Sequence, residues 1–353
     1  MRKFVIKCIL IIVPIYLLVV SLNYFVDPAN IYHVSVTDRI YDYLKDYPAV
    51  EVVGDFDEGA LLEKRIMGLE KSPDTVVIGS SHVLYVAWKF DDFFNAGMSG
   101  EFLDDYYATV ALLEEYDKIP NRVILAVDPY IFMDELTIRQ ESLYRYAQKE
   151  KALLSGEKEG FHLQDNAKYK KAKELFSFSY FQSSLHSLIY GVSSSYTNPT
   201  YDTGIGEYTK LLQNGVRVPA SSAFNEVGKI RGDAEWYVGN GTIYTMSDYR
   251  SLSEKKISEF ERLIDHLLEN GVDVEIYLPS WYHIYYDEFE SNILFSGVLL
   301  SEEYVRDMAK ERGMSVHGSY SPYVTGLSED SFIDSMHIAP EQAWENYCFI
   351  LSE

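Results

Sequence analysis

Thr75-Val76-Val77-Ile78-Gly79-Ser80-Ser81 is the stretch on which the fold turns. Four β-branched residues ending in a glycine and two serines read as a short buried strand that opens into a tight turn. The same signature recurs along the chain. Phe93-Phe94-Asn95 runs into Ala96-Gly97-Met98-Ser99-Gly100, and Val123-Ile124-Leu125-Ala126-Val127 closes at Asp128-Pro129. Val272 to Leu278 ends at Pro279, and Met314-Ser315-Val316-His317 makes a fifth short strand. Helical patterns lie between them. Leu103, Tyr107, Val110 and Leu113 share a face from about Phe102 to Tyr116. Ser251-Leu252-Ser253-Glu254 has the form of a capping box for a helix that stops at Gly271. A further helix spans about Ser301 to Glu311, and Pro340 opens a terminal helix to about Leu351. This alternation predicts an α/β fold, a three-layer α/β/α sandwich around a five-stranded parallel sheet. Ligands of such sheets sit beyond the carboxyl ends of the strands. Gly79–Ser81, Gly97–Gly100, Asp128 and Pro279–His283 are therefore expected along one edge.

The two ends of the core are set by what interrupts it. Glu51 to Lys71 is polar and reads as helical in part. Residues 131–250 are rich in Tyr, Ser, Gly and Asn, with Ser193 to Pro199 the most loop-like stretch and lysine-rich helical turns near Lys168 to Lys173. We read them as a long insertion between core segments 71–130 and 251–353. At the N-terminus, Arg2, Lys3 and Lys7 precede a charge-free run from Cys8 to Val26. Nineteen helical residues reach roughly 28 Å, about one hydrocarbon core. Basic residues in front and Asp27 behind predict a single-pass anchor over 1–26, N-terminus inside, with 27–353 outside the cytoplasm. Bulky Tyr24 and Phe25 leave no small-residue cleavage site.

The chain carries 54 acidic against 31 basic residues, a net charge of −23. That excludes nucleic acid as a partner, because the phosphate backbone demands a basic footprint. Two distant cysteines, Cys8 and Cys348, supply neither a disulfide framework nor zinc spacing. No organic cofactor motif and no metal site is expected. A phosphate loop is missing, and Val83 stands where an α/β-hydrolase elbow needs glycine.

Three groups can carry chemistry. Ser81, exposed at a strand end, is a nucleophile only if a base takes its proton. Asp334-Ser335-Met336-His337 puts an orienting carboxylate one turn before such a base. Gly100, at a strand-to-helix junction, lets a backbone amide approach a developing oxyanion beside the Ser81 amide. His82 is read as structural or substrate-facing, and Ser280, Trp281 and His283 as pocket lining or packing.

Gly79-Ser80-Ser81, the block Asn95 to Gly100 and Asp334-x-x-His337 resemble, in that order, three blocks of the SGNH (GDSL-like) hydrolase superfamily. The resemblance covers about Lys71 to Leu351, the insertion excluded, and implies an SGNH/flavodoxin-like fold. It further implies Ser81 as nucleophile, His337 as base, Asp334 as its orienter and Gly100 as oxyanion donor. The Gly-Ser-Ser form, the anchor and the insertion look especially like the envelope members that transfer D-alanyl groups to teichoic acid or O-acetylate polysaccharides. One block departs: where the family usually has an oxyanion-donating Asn, this chain has Ala126-Val127-Asp128-Pro129. Either Asp128 points away, or it is protonated, or the hole relies on two backbone amides. The expected function is a membrane-anchored serine esterase or O-acyltransferase. It would act on an envelope polysaccharide or teichoic-type polymer, with an acyl donor and a membrane-bound acyltransferase as partners. The alternative is an inactive SGNH-like protein that binds a glycan or a membrane partner.

Overall fold

The computed structural model describes residues 2–27, 35–156, 173, 175–190 and 196–351. Among the described residues, nine strands form two sheets. They are β1 (Ala49–Val53), β2 (Thr75–Ile78), β3 (Phe93–Asn95), β4 (Arg122–Ala126), β5 (Tyr196–Thr200), β6 (Thr209–Leu212), β7 (Arg217–Val218), β8 (Asp273–Leu278) and β9 (Val316–Gly318).

The central sheet is five-stranded, in the order β3-β2-β4-β8-β9, and every neighbouring pair is parallel. All four residues of β2 are buried, as are the last four of β4, so both faces of the sheet are covered. That is what an unbroken aliphatic run, rather than an alternating one, requires. Helices Leu103–Glu115, Glu254–Glu269, Ser296–Arg312 and Pro340–Cys348 separate or follow these strands. The α/β class and the five parallel strands thus stand as the sequence predicts.

The core is unusually aromatic, and its tyrosine hydroxyls are used. Tyr106 donates to Ala126 O at 2.5 Å and Tyr320 to Val127 O at 2.9 Å. Both rings are fully buried. A buried hydroxyl without a partner costs about 1–3 kcal/mol, so these two bonds fix the chain where β4 ends and Asp128 begins.

Element boundaries differ from the sequence reading in several places. Glu51 to Lys71 is helical in part, over Glu58–Gly68, but it opens on the end of strand β1, which the sequence reading missed. Tyr196–Thr200, inside the stretch read as loop, is a strand that pairs antiparallel with β1. Pro199 is tolerated there because β5 is an edge strand. With β6 and β7 it makes a four-stranded antiparallel sheet, β5-β1-β6-β7. The insertion is therefore stitched to chain that precedes the core. The cap of the helix after residue 250 is Ser253, whose side chain accepts from the Lys256 amide. The next helix starts earlier, at Ser296, and the last ends at Cys348, so that Ile350 can bridge His317. The fifth strand is shifted to Val316–Gly318. Ser193 to Ser195 and the turns near Lys168, Lys173 apart, lie outside the described residues.

The N-terminal run is a helix, Arg2–Val26, that continues through Pro14. Leu10, Ile12, Val13, Ile15, Leu17 and Leu18 are exposed. Among the described residues no helix is long and apolar enough to cross a membrane. The side chains of residues 2–9 and 11, which belong to the expected anchor, lie outside the described residues.

Candidate active site

Ser81 enters the site because of what precedes it. A Cβ on Gly79 would lie 2.7 Å from the Ala126 side chain, so only glycine lets the end of β2 run this close to β4. The chain then makes a 3-10 turn, Ser81–Val83, capped by the Ser80 hydroxyl. This places Ser81 beyond the carboxyl end of β2. Asp334 and His337 arrive on the loop that follows β9 and precedes the terminal helix.

The three side chains meet. Ser81 Oγ lies 2.9 Å from His337 Nε2, and His337 Nδ1 lies 2.9 Å from Asp334 Oδ2. A carboxylate only accepts, so Nδ1 carries the ring proton and Nε2 is the lone-pair nitrogen facing the Ser81 hydroxyl. Asp334 Oδ1 also accepts from the Met336 and His337 amides at 2.7 and 2.8 Å. Burial pushes the Asp334 carboxyl up, but the His337 contact and these amides outweigh it and hold it below its ordinary value. The Asp334-x-x-His337 spacing predicts this turn, and the structure joins it to Ser81 across 256 residues.

Asp128 takes the first of the three options left open by the sequence. It is fully buried and points away from the reacting atoms, toward His82. His82 Nδ1 donates to Asp128 Oδ1 at 2.7 Å, and Tyr130 donates to Oδ2 at 3.1 Å. His82 Nε2 donates to Met336 O at 2.8 Å, inside the loop that carries the base. Both ring nitrogens thus face acceptors, and only the imidazolium satisfies both. Burial favours the neutral ring, yet the Asp128 carboxylate and the Met336 carbonyl outweigh it and raise His82 above its ordinary value. The substrate-facing role considered for His82 and Asp128 gives way to an internal one, since their polar atoms are already engaged.

Other expected site residues separate in the same way. Gly100 has φ +66, and a Cβ there would collide with the Tyr244 hydroxyl, so its turn demands glycine. His283 does not line the site: its Nε2 donates to Leu327 O, and its ring packs edge-on to Tyr323 and Phe332. Ser280 is bound to Ser319 O and Asn346, both contacts buried. Trp281 is buried with its ring 5.4 Å from that of His82, so it supports the site from behind.

Two groups escaped the sequence reading. Arg217, from β7, pairs with Glu58 at 2.5 Å and reaches Ser99 Oγ at 3.3 Å, which ties the insertion to the Gly97–Gly100 turn. No local pattern marks such a pair, because its members are far apart in the chain. Glu101, next to Gly100, is wholly buried; its carboxyl faces the Gly79 amide and has no side-chain partner among the described residues. Burial, followed by Asp105, Glu58 and Asp128, outweighs the Gly79 amide and holds its carboxyl well above the ordinary range, which favours the protonated acid. The folded state then binds a proton that the unfolded chain releases, and stability falls as pH rises above the ordinary value. Glu101→Gln is expected to stabilise the protein more at pH 8 than at pH 5. Thermal unfolding at the two pH values checks this; equal shifts at both would mean that Glu101 is ionised in the fold.

Among the described residues one cluster has the composition of a cation site. Glu114, Glu150 and His266 bring their ligand atoms within 4.8 Å of one another. His266 Nε2 lies 2.5 Å from Glu114 Oε1, so these two already engage each other. Glu150 is pushed up to about 7 by burial and by Glu114. The three sit on helices Leu103–Glu115, Tyr144–Ser155 and Glu254–Glu269, not on the strand-end loops of Ser81 and His337. No family model and no curated protein matches this chain, so what the site can do is read from its own geometry.

Proposed function

We propose that this chain is an SGNH-type serine acyl hydrolase or O-acyltransferase of the cell envelope, with a three-layer α/β/α core held outside the membrane by its N-terminal helix. The observation that carries the reading is the continuous relay Ser81 Oγ–His337 Nε2, His337 Nδ1–Asp334 Oδ2, each link 2.9 Å long. In this reading His337 takes the Ser81 proton as Oγ attacks the carbonyl carbon of an ester or thioester. The carbonyl electrons pass to oxygen, and the Ser81 and Gly100 amides meet that oxyanion. As the carbonyl re-forms, the bond to the leaving alcohol or thiol breaks and His337 returns the proton to it. Water, or a hydroxyl of an envelope glycan or polymer, then attacks the acyl-Ser81 ester, with His337 again as base and then acid. Asp334 holds the ring in the tautomer that makes both transfers possible.

The charge-free run of Cys8 to Val26 and the basic residues before it support the extracytoplasmic position, and the polymer acceptor rests on that position and on the resemblance to envelope acyl-transfer proteins. The test is a fluorophosphonate probe on the full-length protein in detergent, with the labelled peptide mapped by mass spectrometry. Labelling is expected at Ser81, and to vanish in Ser81→Ala and fall steeply in His337→Ala. Folded protein that takes up no label would defeat the enzyme reading and leave a protein that binds rather than transforms its ligand.

A further inference from the structure

The molecule has an apolar cleft that begins one side chain away from the base. Tyr85 sets its ring edge-on to His337, with ring centroids 5.5 Å apart. On its other side Tyr85 lines a cleft of about 590 Å³, whose walls include Val86, Trp88, Val218, Phe224 and Pro340. Pro340 lies three residues beyond His337, so the chain that leaves the base borders this space. Two of the walls come from the insertion: Val218 ends β7, and Phe224 follows the 3-10 turn Ser221–Ala223. The Arg217 amide donates to Leu84 O at 2.7 Å, which pins this part of the insertion to the turn that leaves Ser81.

The charged side chains that line the cleft are paired, Lys89 and Glu341 with each other at 3.1 Å and Arg217 with Glu58 at 2.5 Å. The cleft thus offers apolar surface without a free charge to hold a phosphate, a carboxylate or an ammonium group. The lining also includes Thr203, Asn214 and Gln342, but along Val86, Trp88, Val218 and Phe224 a sugar's hydroxyls would find no partners, a loss that apolar walls do not repay. A hydrocarbon chain has no such cost.

We propose that this cleft holds the hydrocarbon chain of the acyl group carried by Ser81. The donor is then an ester or thioester of a medium-length fatty acid, and the insertion serves to build the chain-binding wall. This rests on the serine acyl reading above and adds the substrate class. Each methylene that enters an apolar site is worth up to about fourfold in kcat/KM.

The test is turnover of p-nitrophenyl acetate, butanoate and octanoate by the full-length protein, always subtracting the Ser81→Ala rate. The octanoate-to-acetate ratio of kcat/KM is expected to exceed about 30. Val218→Trp, which fills the cleft, and Phe224→Ala, which opens its wall, should each lower that ratio at least about tenfold. Two variants of opposite size keep the result readable if one of them folds poorly. Ser81-dependent turnover that is flat or falls from acetate to octanoate would overturn the proposal. So would a ratio that survives in both variants. Absence of Ser81-dependent turnover on every ester, in folded protein, would refute the serine acyl reading itself and the cleft's role with it.

Discussion

Asp334→Asn is expected to lower kcat on a p-nitrophenyl ester by about 10⁴-fold with the fold intact. The reason is the tautomer. In the native protein both Asp334 oxygens accept: Oδ2 from His337 Nδ1, and Oδ1 from His337 Nδ1 and the Met336 and His337 amides. An asparagine keeps one oxygen, which the two backbone amides hold. Its NH2 group then faces His337 Nδ1 and can only donate to it. The ring proton moves to Nε2, the nitrogen that must receive the Ser81 proton, and the base is disabled without any change in shape. KM should hardly move, because no substrate-binding atom is touched. The native carboxyl lies below its ordinary value, so its contribution to stability is present above that value and is lost as pH falls through the folded one. The variant's stability should therefore lose this acid-side slope. Steady-state kinetics and thermal unfolding from pH 3 to 7 check both statements. A kcat within tenfold of wild type would mean that Asp334 does not orient the base, and the relay would lose its catalytic meaning.

Much of this was legible in the chain because it was local. The run of β-branched residues from Thr75 to Ile78 needs only its own composition to be read as a buried strand, and the Asp334-x-x-His337 turn needs only its own spacing. Helix ends at Gly271 and Gly313 are local signals too, and the helices stop there. What failed was non-local. Ala49–Val53 is a strand because Tyr196–Thr200 and Thr209–Leu212 pair with it from about 150 residues away. Tyr196 to Pro199 reads as loop for its polar residues and proline, and only an edge position makes that composition acceptable in a sheet. The roles of Asp128 and His82 were hidden for the same reason. Adjacent to Ser81, His82 could be read as structural or as a substrate contact; its partners Asp128 and Met336 are 46 and 254 residues away.

The insertion shows how the two kinds of information join. Its sequence gave no fold, yet three of its contacts are specific. Asp105 accepts from the Arg139 and Gln140 amides, Arg217 pairs with Glu58, and the Arg217 amide reaches Leu84 O. Each ends on a segment that flanks Ser81 or the Gly97–Gly100 turn.

His82 carries the second large effect. With Nδ1 on Asp128 and Nε2 on the Met336 carbonyl, it links β4's end to the loop of the base, directly beneath Ser81. Asp128→Asn removes the charge that keeps the ring doubly protonated. A neutral ring has one N–H for two acceptors, so either residue 128 or Met336 O loses its donor in a site where His82 is only 6% and Asp128 0% exposed. Breaking one side of such a buried pair costs about 3–5 kcal/mol, and the variant should unfold at a lower temperature by a corresponding amount. The freed loop shifts His337 against Ser81. Displacements near 1 Å at reacting groups cost about 10²-fold, and the loss should fall on kcat. His82→Gln, which donates to only one of the two oxygens, should show the same split between kcat and KM. The pH dependence gives the sign. His82 lies above its ordinary value in the folded protein, so its contribution is whole below that value and disappears as pH rises through the folded one. Wild-type stability and kcat should both decline on that alkaline limb, and Asp128→Asn should lack the limb. The double variant His82→Gln/Asp128→Asn leaves two neutral amides that can bond to each other, and it should recover part of the stability lost by either single change. If His82→Gln keeps the wild-type pH profile and kcat, the buried pair is packing alone, and the geometry of Ser81 and His337 is held by Asp334 without it.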